Sequence, residues 1–324
     1  MVNWRTKGRN ALVKAALVIS SAGLENAVAQ EFPVKPIRIV VANTPGTLPD
    51  QIIRTMQPVL ANAFGKPVVV ENKPGAQERI AAEYVAKQPT PDGHTMAIVA
   101  LGNMAGLVAF VKNPSFIPLR DLPPIKTLAT GRIYLASPAQ APWKTFSEMI
   151  TYAKANPGKL NYGSWASSTQ IRMEMIILHY GLKVVHVPYA GSGPAQLAMY
   201  SNDIQFIITN DDVVSRKDRA LPLAVSSKRR VPQFPDVPTF AELGLPTIAG
   251  ADYYMGVPTA TPAFAVDRIN SALSRALQHP DTLALVARLG LEVVDDSREA
   301  AVQNLKDQTA AIVNTAKLIG MQLQ

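Results

Sequence analysis

The chain has no cysteine, which excludes structural disulfides, thiolate metal sites, a cysteine nucleophile and a lipid-modified cysteine anchor together. Histidine is scarce as well: the four, at positions 94, 179, 186 and 279, lack H-E-x-x-H or comparable ligand spacing, so no metal is expected. His94 in a turn and His186 in a strand read as structural residues. No G-x-S-x-G elbow is present, and neither Gly65-Lys66 nor Gly158-Lys159 has the preceding glycine or following hydroxyl residue of a phosphate-binding loop. Gly191-Ser192-Gly193 supplies two glycines of a dinucleotide turn, but Gln196 stands at the third. Nucleophilic catalysis finds little support, and no cofactor is expected. Past the N-terminus no run is long and apolar enough to cross a membrane. Basic residues there are scattered apart from Lys228-Arg229-Arg230, without aromatic interleaving, which argues against nucleic acid as a partner.

What is present begins with a leader. Arg5, Lys7, Arg9 and Lys14 precede a mostly apolar run over 15–24, and Ala27-Val28-Ala29 fits a small-x-small cleavage site. Residues 1–29 read as a signal peptide, which places the mature protein in the periplasm. Removing them takes away those four cations and Glu25, a net +3, so the formal charge of +8 becomes +5. That modest positive balance favours small acidic ligands. With 324 residues, 48% of them apolar, the chain has material for two domains.

Strand, polar loop and helix N-terminus recur along the chain. The apolar strand 37–42 runs into Asn43-Thr44-Pro45-Gly46-Thr47-Leu48-Pro49-Asp50, where Asp50 is placed to cap a helix reaching Phe64. Residues 161–194 hold two such units, with Ser164, Ser167, Ser168 and Thr169 in the first loop and Tyr189, Gly191, Ser192 and Gly193 in the second. In open α/β sheets ligands sit beyond the carboxyl ends of strands, facing the positive ends of helices. Two such loops in succession suggest an anion site. A proline-rich connector covers 113–124, Thr145-x-x-Glu148 reads as a capping box, and Asn210-Asp211-Asp212 reads as a helix cap or a cation site. The alternation predicts sheets built of parallel βαβ units, with the C-terminal helices returning to cover the first.

These residues carry a resemblance. Lys35-Pro36-Ile37-Arg38-Ile39-Val40-Val41, Val68-Val69-Val70-Glu71-Asn72-Lys73-Pro74-Gly75-Ala76 and Pro91-Asp92-Gly93-His94-Thr95 are its first pieces. Asn156-Pro157-Gly158-Lys159-Leu160-Asn161-Tyr162-Gly163-Ser164, Val185-His186-Val187-Pro188-Tyr189 and Phe234-Pro235-Asp236-Val237-Pro238-Thr239 follow in order. Over the mature chain the sequence resembles the substrate-binding proteins of tripartite tricarboxylate transporters, the Bug family of periplasmic solute receptors. The resemblance implies an α/β, two-domain periplasmic binding protein of type II, a Venus flytrap with parallel-rich sheets and hinge strands. Domain 1 would be residues 30–130 and 251–324, and domain 2 residues 131–250. The expected role is capture of a small organic acid by a monomer that delivers it to membrane permease subunits. The alternatives are a secreted α/β hydrolase or transferase and a sensory receptor serving a signalling protein.

The same resemblance implies a ligand site. Domain 1 would offer Thr44, Gly46, Thr47 and Asp50 from one loop and Ala76 and Arg79 from another. Domain 2 would offer Ser164, Trp165, Ser167 and Ser168, then Tyr189, Gly191 and Ser192, with Thr209 and Asp211 at a strand end. Three loops depart from the family pattern. The first keeps one glycine and the aspartate of P-P-G-G-x-x-D, and the second replaces G-A-G-G-N with Gly75-Ala76-Gln77-Glu78-Arg79. Arg79 either adds a carboxylate contact or pairs with Glu78 or Glu83. The third, after Ser164, is compact and carries Trp165, whose indole would favour a flat or aromatic carboxylate.

Overall fold

The computed structural model describes residues 31–320 other than 166, 190 and 191; the predicted signal peptide over 1–29 lies outside them. From the amino end come β1 (Ile37–Val41), α1 (Leu48–Phe64), β2 (Val68–Asn72), α2 (Arg79–Ala86), β3 (Thr95–Ala100), α3 (Leu101–Phe110), the single turn α4 (Pro118–Asp121) and β4 (Pro124–Gly131). The middle holds β5 (Tyr134–Pro138), α5 (Phe146–Ala155), β6 (Leu160–Ser164), α6 (Ser167–Tyr180), β7 (Val184–Pro188), α7 (Ser192–Tyr200), β8 (Phe206–Thr209), α8 (Asp211–Val214) and β9 (Ala220–Val225). The chain returns through β10 (Ala251–Gly256), α9 (Ala263–Leu277), α10 (Pro280–Arg288), β11 (Leu291–Val293) and α11 (Arg298–Leu318).

Two sheets result, and they define two lobes. Lobe 1 has the order β11-β4-β10-β3-β1-β2 and lobe 2 the order β7-β6-β8-β5-β9. Only Arg132 and Ile133 separate β4 of one sheet from β5 of the other. The α/β class stands, but the sheets are mixed rather than parallel-rich. β1 runs parallel to β2 and β3, and β6 to β7 and β8, whereas β10 is antiparallel to both neighbours and so is β5. β5 and β10 each follow a crossing between lobes, where the chain leaves one sheet and later comes back, and β11 at the edge of lobe 1 is antiparallel to β4 as well.

The sequence dictates the best-formed elements locally. β1 is buried apart from Arg38 because it is hydrogen-bonded on both edges and covered on both faces, which is why it reads as a continuous apolar run. α1 buries Ile52, Ile53, Met56 and Leu60 at helical spacing and stops at Gly65, whose φ of 66 is the left-handed conformation that ends helices. Thr145 accepts from the N–H of Glu148, as the capping box predicts. Ser297 is the N-cap of α11 and accepts from the Ala300 N–H. α3, β4 and β11 fall outside the sequence reading. β4 hides because Lys126, Thr127 and Thr130 break its apolar pattern. They are buried or half-buried there because acids from elsewhere meet them, Lys126 bonding Asp295 at 2.6 Å and the Thr127 N–H bonding Asp296 at 2.8 Å. One apolar core cluster contains Val40 and Val99 of lobe 1, Met104 of α3, Ile176 of α6 and Leu135 and Phe206 of lobe 2. The lobes thus share buried apolar contact as well as the crossings.

Candidate functional site

In lobe 1 the parallel neighbours β2, β1 and β3 end side by side at Asn72, Val41 and Ala100; in lobe 2, β7, β6 and β8 end at Pro188, Ser164 and Thr209. The loops singled out in the sequence leave these ends, so topology gathers them at the edge of each sheet where α/β folds hold ligands.

The first loop is closed on itself. Asp50 is 2% exposed and is the third residue of α1 rather than its cap. Its carboxylate accepts from the Gly46 N–H at 2.8 Å, Arg54 Nε at 2.9 and 3.0 Å and Asn72 Nδ2 at 2.8 Å. Burial alone would raise its pKa, but these donors outweigh burial and hold the carboxyl below its usual range. The Thr47 hydroxyl donates to the Thr44 carbonyl at 2.7 Å. Asp50, Gly46 and Thr47 therefore shape the loop, while Thr44 is exposed at its tip.

The second loop is strained. Ala76, Gln77 and Glu78 have φ of 47, 53 and 72, three successive non-glycine residues in the left-handed region, which costs side chains with a Cβ on the order of 1 kcal/mol or more each. Ala76 is exposed, and Arg79 opens α2 without an ion pair among the described residues. Glu78 instead turns inward and is 4% exposed. Its Oε2 accepts from the Ala100 N–H at 2.6 Å, and the side chains of Asn43 and Asn103 also bond it. Burial raises its pKa more than these bonds lower it.

In lobe 2, Ser164 is buried at the end of β6, with Oγ 2.7 Å from His186 Nε2. The His186 ring stacks on Tyr162 with centroids 4.8 Å apart, and the Tyr162 hydroxyl donates to Glu174. Burial depresses the His186 pKa, keeping the imidazole neutral at physiological pH, although Glu174 pulls the other way. The Tyr189 N–H donates to the Ser164 carbonyl at 2.8 Å, tying the two loops together. Gly163 permits this closeness: a Cβ there would meet Ile204 Cδ1 at 2.4 Å and Tyr189 Cε2 at 3.1 Å. Trp165 and Tyr189 lie partly buried against the cluster of Tyr134, Ile204 and Ile207. Ser167 and Ser168 open α6 and Ser192 opens α7, while Gly191 lies outside the described residues.

Thr209 is buried at the end of β8. Asp211 is the first residue of α8, and no side chain caps that helix. It accepts from the Tyr134 hydroxyl at 2.8 Å and from Arg132 Nε at 3.2 Å, and Arg132 reaches Glu292 of lobe 1 at 3.2 Å. The aspartate belongs to a charged cluster at the first crossing. A cavity of about 530 Å³ lies beside the second crossing, lined by Arg132, Ser226, Lys228, Asp252, Glu292 and Asp296 among others. None of the sequence-derived site residues lines it, and Asp252, Glu292 and Asp296 are already bonded by Asn304 and Gln308, by Arg132 and by the Thr127 N–H.

Residues 52–320 match the sequence model of the tripartite tricarboxylate transporter family receptors, and the chain belongs to that family. It is 31% identical over 314 residues to the UPF0065 protein of the tcbD-tcbE intergenic region of Pseudomonas sp. strain P51, covering 93% of this chain and 91% of that one. With BugT of Bordetella pertussis it shares 28% identity over 289 residues, 86% of this chain and 88% of the other. Among solved structures, R. palustris Rpa4515 with adipate superposes with a TM-score of 0.68 at 26% identity, covering 90% of this chain and all of that one. MatC of Rhodopseudomonas palustris with bound malate gives 0.66 at 26% identity, with 88% and 99% covered.

Proposed function

We propose that the chain is a periplasmic solute receptor, and not an enzyme, which encloses a small organic acid between its lobes and delivers it to the membrane subunits of a tripartite tricarboxylate-type transporter. The observation that carries this reading is the pair of polar loop clusters at parallel strand ends, one in each lobe, joined through a crossing of two residues. Helix N-termini and hydroxyls there hold a carboxylate without a permanent ion pair, so opening the lobes releases it. Residues 30–130 with 251–324 form one moving body and 131–250 the other, and the receptor works as a monomer after losing residues 1–29. The malate and adipate of the two R. palustris structures support a carboxylate as the ligand class. Trp165 beside Tyr189 favours a carboxylate with a flat apolar body.

One observation favours an enzyme: Ser164 Oγ and His186 Nε2 stand at a distance suited to nucleophile and base. Yet Ser164 is only 4% exposed, and among the described residues no carboxylate bonds His186, the nearby Glu174 being taken by the Tyr162 hydroxyl. The pair fixes the loop.

Thermal shift with a panel of aromatic and aliphatic acids tests the reading. At least one acid raises Tm, and Trp165→Ala weakens the best aromatic acid about tenfold, or 1.4 kcal/mol. Equal affinity in the Trp165→Ala variant would sink the aromatic preference, and a panel without any binder would sink the receptor.

A further inference from the structure

Glu78 is a carboxylate that the protein binds to itself across the carboxyl ends of β1 and β3, the end of a sheet at which α/β folds hold ligands. β1 and β3 are parallel neighbours, and the Glu78 side chain lies across their carboxyl ends. It accepts from the Ala100 N–H, at the last residue of β3 and the first of the helix turn leading into α3, and is bonded by Asn43, two residues past β1, and by Asn103 of the first turn of α3. One backbone N–H and two side-chain amides converging on a carboxyl group make a complete carboxylate cradle. The turn that delivers it is held in three consecutive left-handed conformations, so the surrounding contacts keep it there against local strain.

A second observation concerns what is left unfilled. Asn43 Oδ1 is buried and has no partner among the described residues. The spare hydrogen-bonding capacity at the end of β1 is therefore an acceptor, which calls for a donor.

From this occupancy, and resting on the receptor reading above, we infer that Glu78 sets the specificity of lobe 1. It fills the donor cradle, so lobe 1 turns away a second carboxylate and receives the uncharged, N–H- or O–H-bearing end of a monocarboxylate whose acid group is held by lobe 2. The unusual sequence of this loop then has a purpose: the flexible glycines of the family pattern would leave the cradle open, whereas Glu78 closes it.

The test is calorimetric titration of the purified chain with adipate and benzene-1,4-dicarboxylate, each beside its monoamide, which differs only in the far group. Wild type binds the monoamide of a pair at least tenfold more tightly than the diacid. Glu78→Gly empties the cradle and relieves the φ of 72, and it lowers that preference at least tenfold by gaining affinity for the diacid. Glu78→Gln, which keeps the volume and an acceptor for the Ala100 N–H, retains the wild-type order; it also controls for loosening of the turn. Equal binding of diacid and monoamide by wild type overturns the inference and leaves the receptor reading intact, as does an unchanged preference in Glu78→Gly. If Glu78→Gly does not fold, the wild-type preference and Glu78→Gln decide. Failure of all four compounds to bind wild type overturns both.

Discussion

Replacing Asp50 by alanine tests whether the first loop is held by its own carboxylate. The side chain is 2% exposed and receives four hydrogen bonds from three residues, but they are not of equal weight. Arg54 is 46% exposed and regains water when released, so its ion pair contributes at most about 0.5–1 kcal/mol. Asn72 Nδ2 keeps a second acceptor in the Asn43 carbonyl at 2.9 Å, which makes its loss small. The Gly46 N–H to the buried carboxylate is the main term, a charge-assisted bond of about 1.5–3 kcal/mol. The expected loss is about 2–3 kcal/mol at pH 7. Urea unfolding reads it as a fall in the midpoint at constant slope. Because the folded-state pKa of Asp50 is lowered, its contribution is present above the unfolded value and fades as pH falls through the folded one, so wild type and Asp50→Ala converge in acid. A loss under about 0.5 kcal/mol, the scale of an ordinary surface change, would refute the claim that this carboxylate organises the loop.

Other perturbations follow from the same geometry. Gly163→Ala places a Cβ 2.4 Å from Ile204 Cδ1 and 3.1 Å from Tyr189, which should cost about 1–3 kcal/mol of stability and weaken ligand binding by shifting Tyr189; unchanged Tm and affinity would contradict the packing. Lys126 is 5% exposed against Asp295 at 27%, so Asp295→Ala leaves a buried ammonium bonded to the neutral Asp296 carbonyl at 2.9 Å but without its carboxylate partner, and should cost about 3 kcal/mol. Lys126→Met should cost less, since Asp295 keeps Ser274 and water, and the reverse order in urea would refute this. Asp92 is pushed up by burial, but Lys35 and the groups of His94 outweigh it and bring its pKa down to about 2. Its stabilisation should be full above about pH 4 and vanish towards pH 2, so the midpoints of wild type and Asp92→Asn differ at pH 7 and merge in acid; a constant difference would show that the carboxylate is not responsible.

Much of the architecture was legible because it rests on local physics: the apolar run of β1, the spacing of Ile52, Ile53, Met56 and Leu60, and the Thr145 cap each announce themselves within a few residues. β4 was not, because Lys126 and Thr127 are tolerated there only through Asp295 and Asp296, some 170 positions later in the chain. The antiparallel run of β10 was hidden for a related reason, since strand direction is decided by where the chain crosses between lobes. In the candidate loops, the residue string shows which polar side chains are present but not which partners they bond. Asp50 reads as a helix cap and Asp211 as part of a cap or cation site, and both instead accept from donors that lie nearby in space, Asn72 and Arg132. Glu78 read as a bulky departure from a glycine-rich pattern. Its inward turn depends on backbone conformations that glycine favours, which a residue string without glycine gives no reason to expect. Ser164 and His186, 22 positions apart, meet because β6 and β7 are parallel neighbours in register.

A receptor of this kind carries a small organic acid. Native mass spectrometry of the freshly purified chain addresses it most directly. A bound species of small-acid mass is expected, lost on gentle activation and replaced by added acid in excess. A chain that shows no bound species, and that gains none when acids are added, would contradict it.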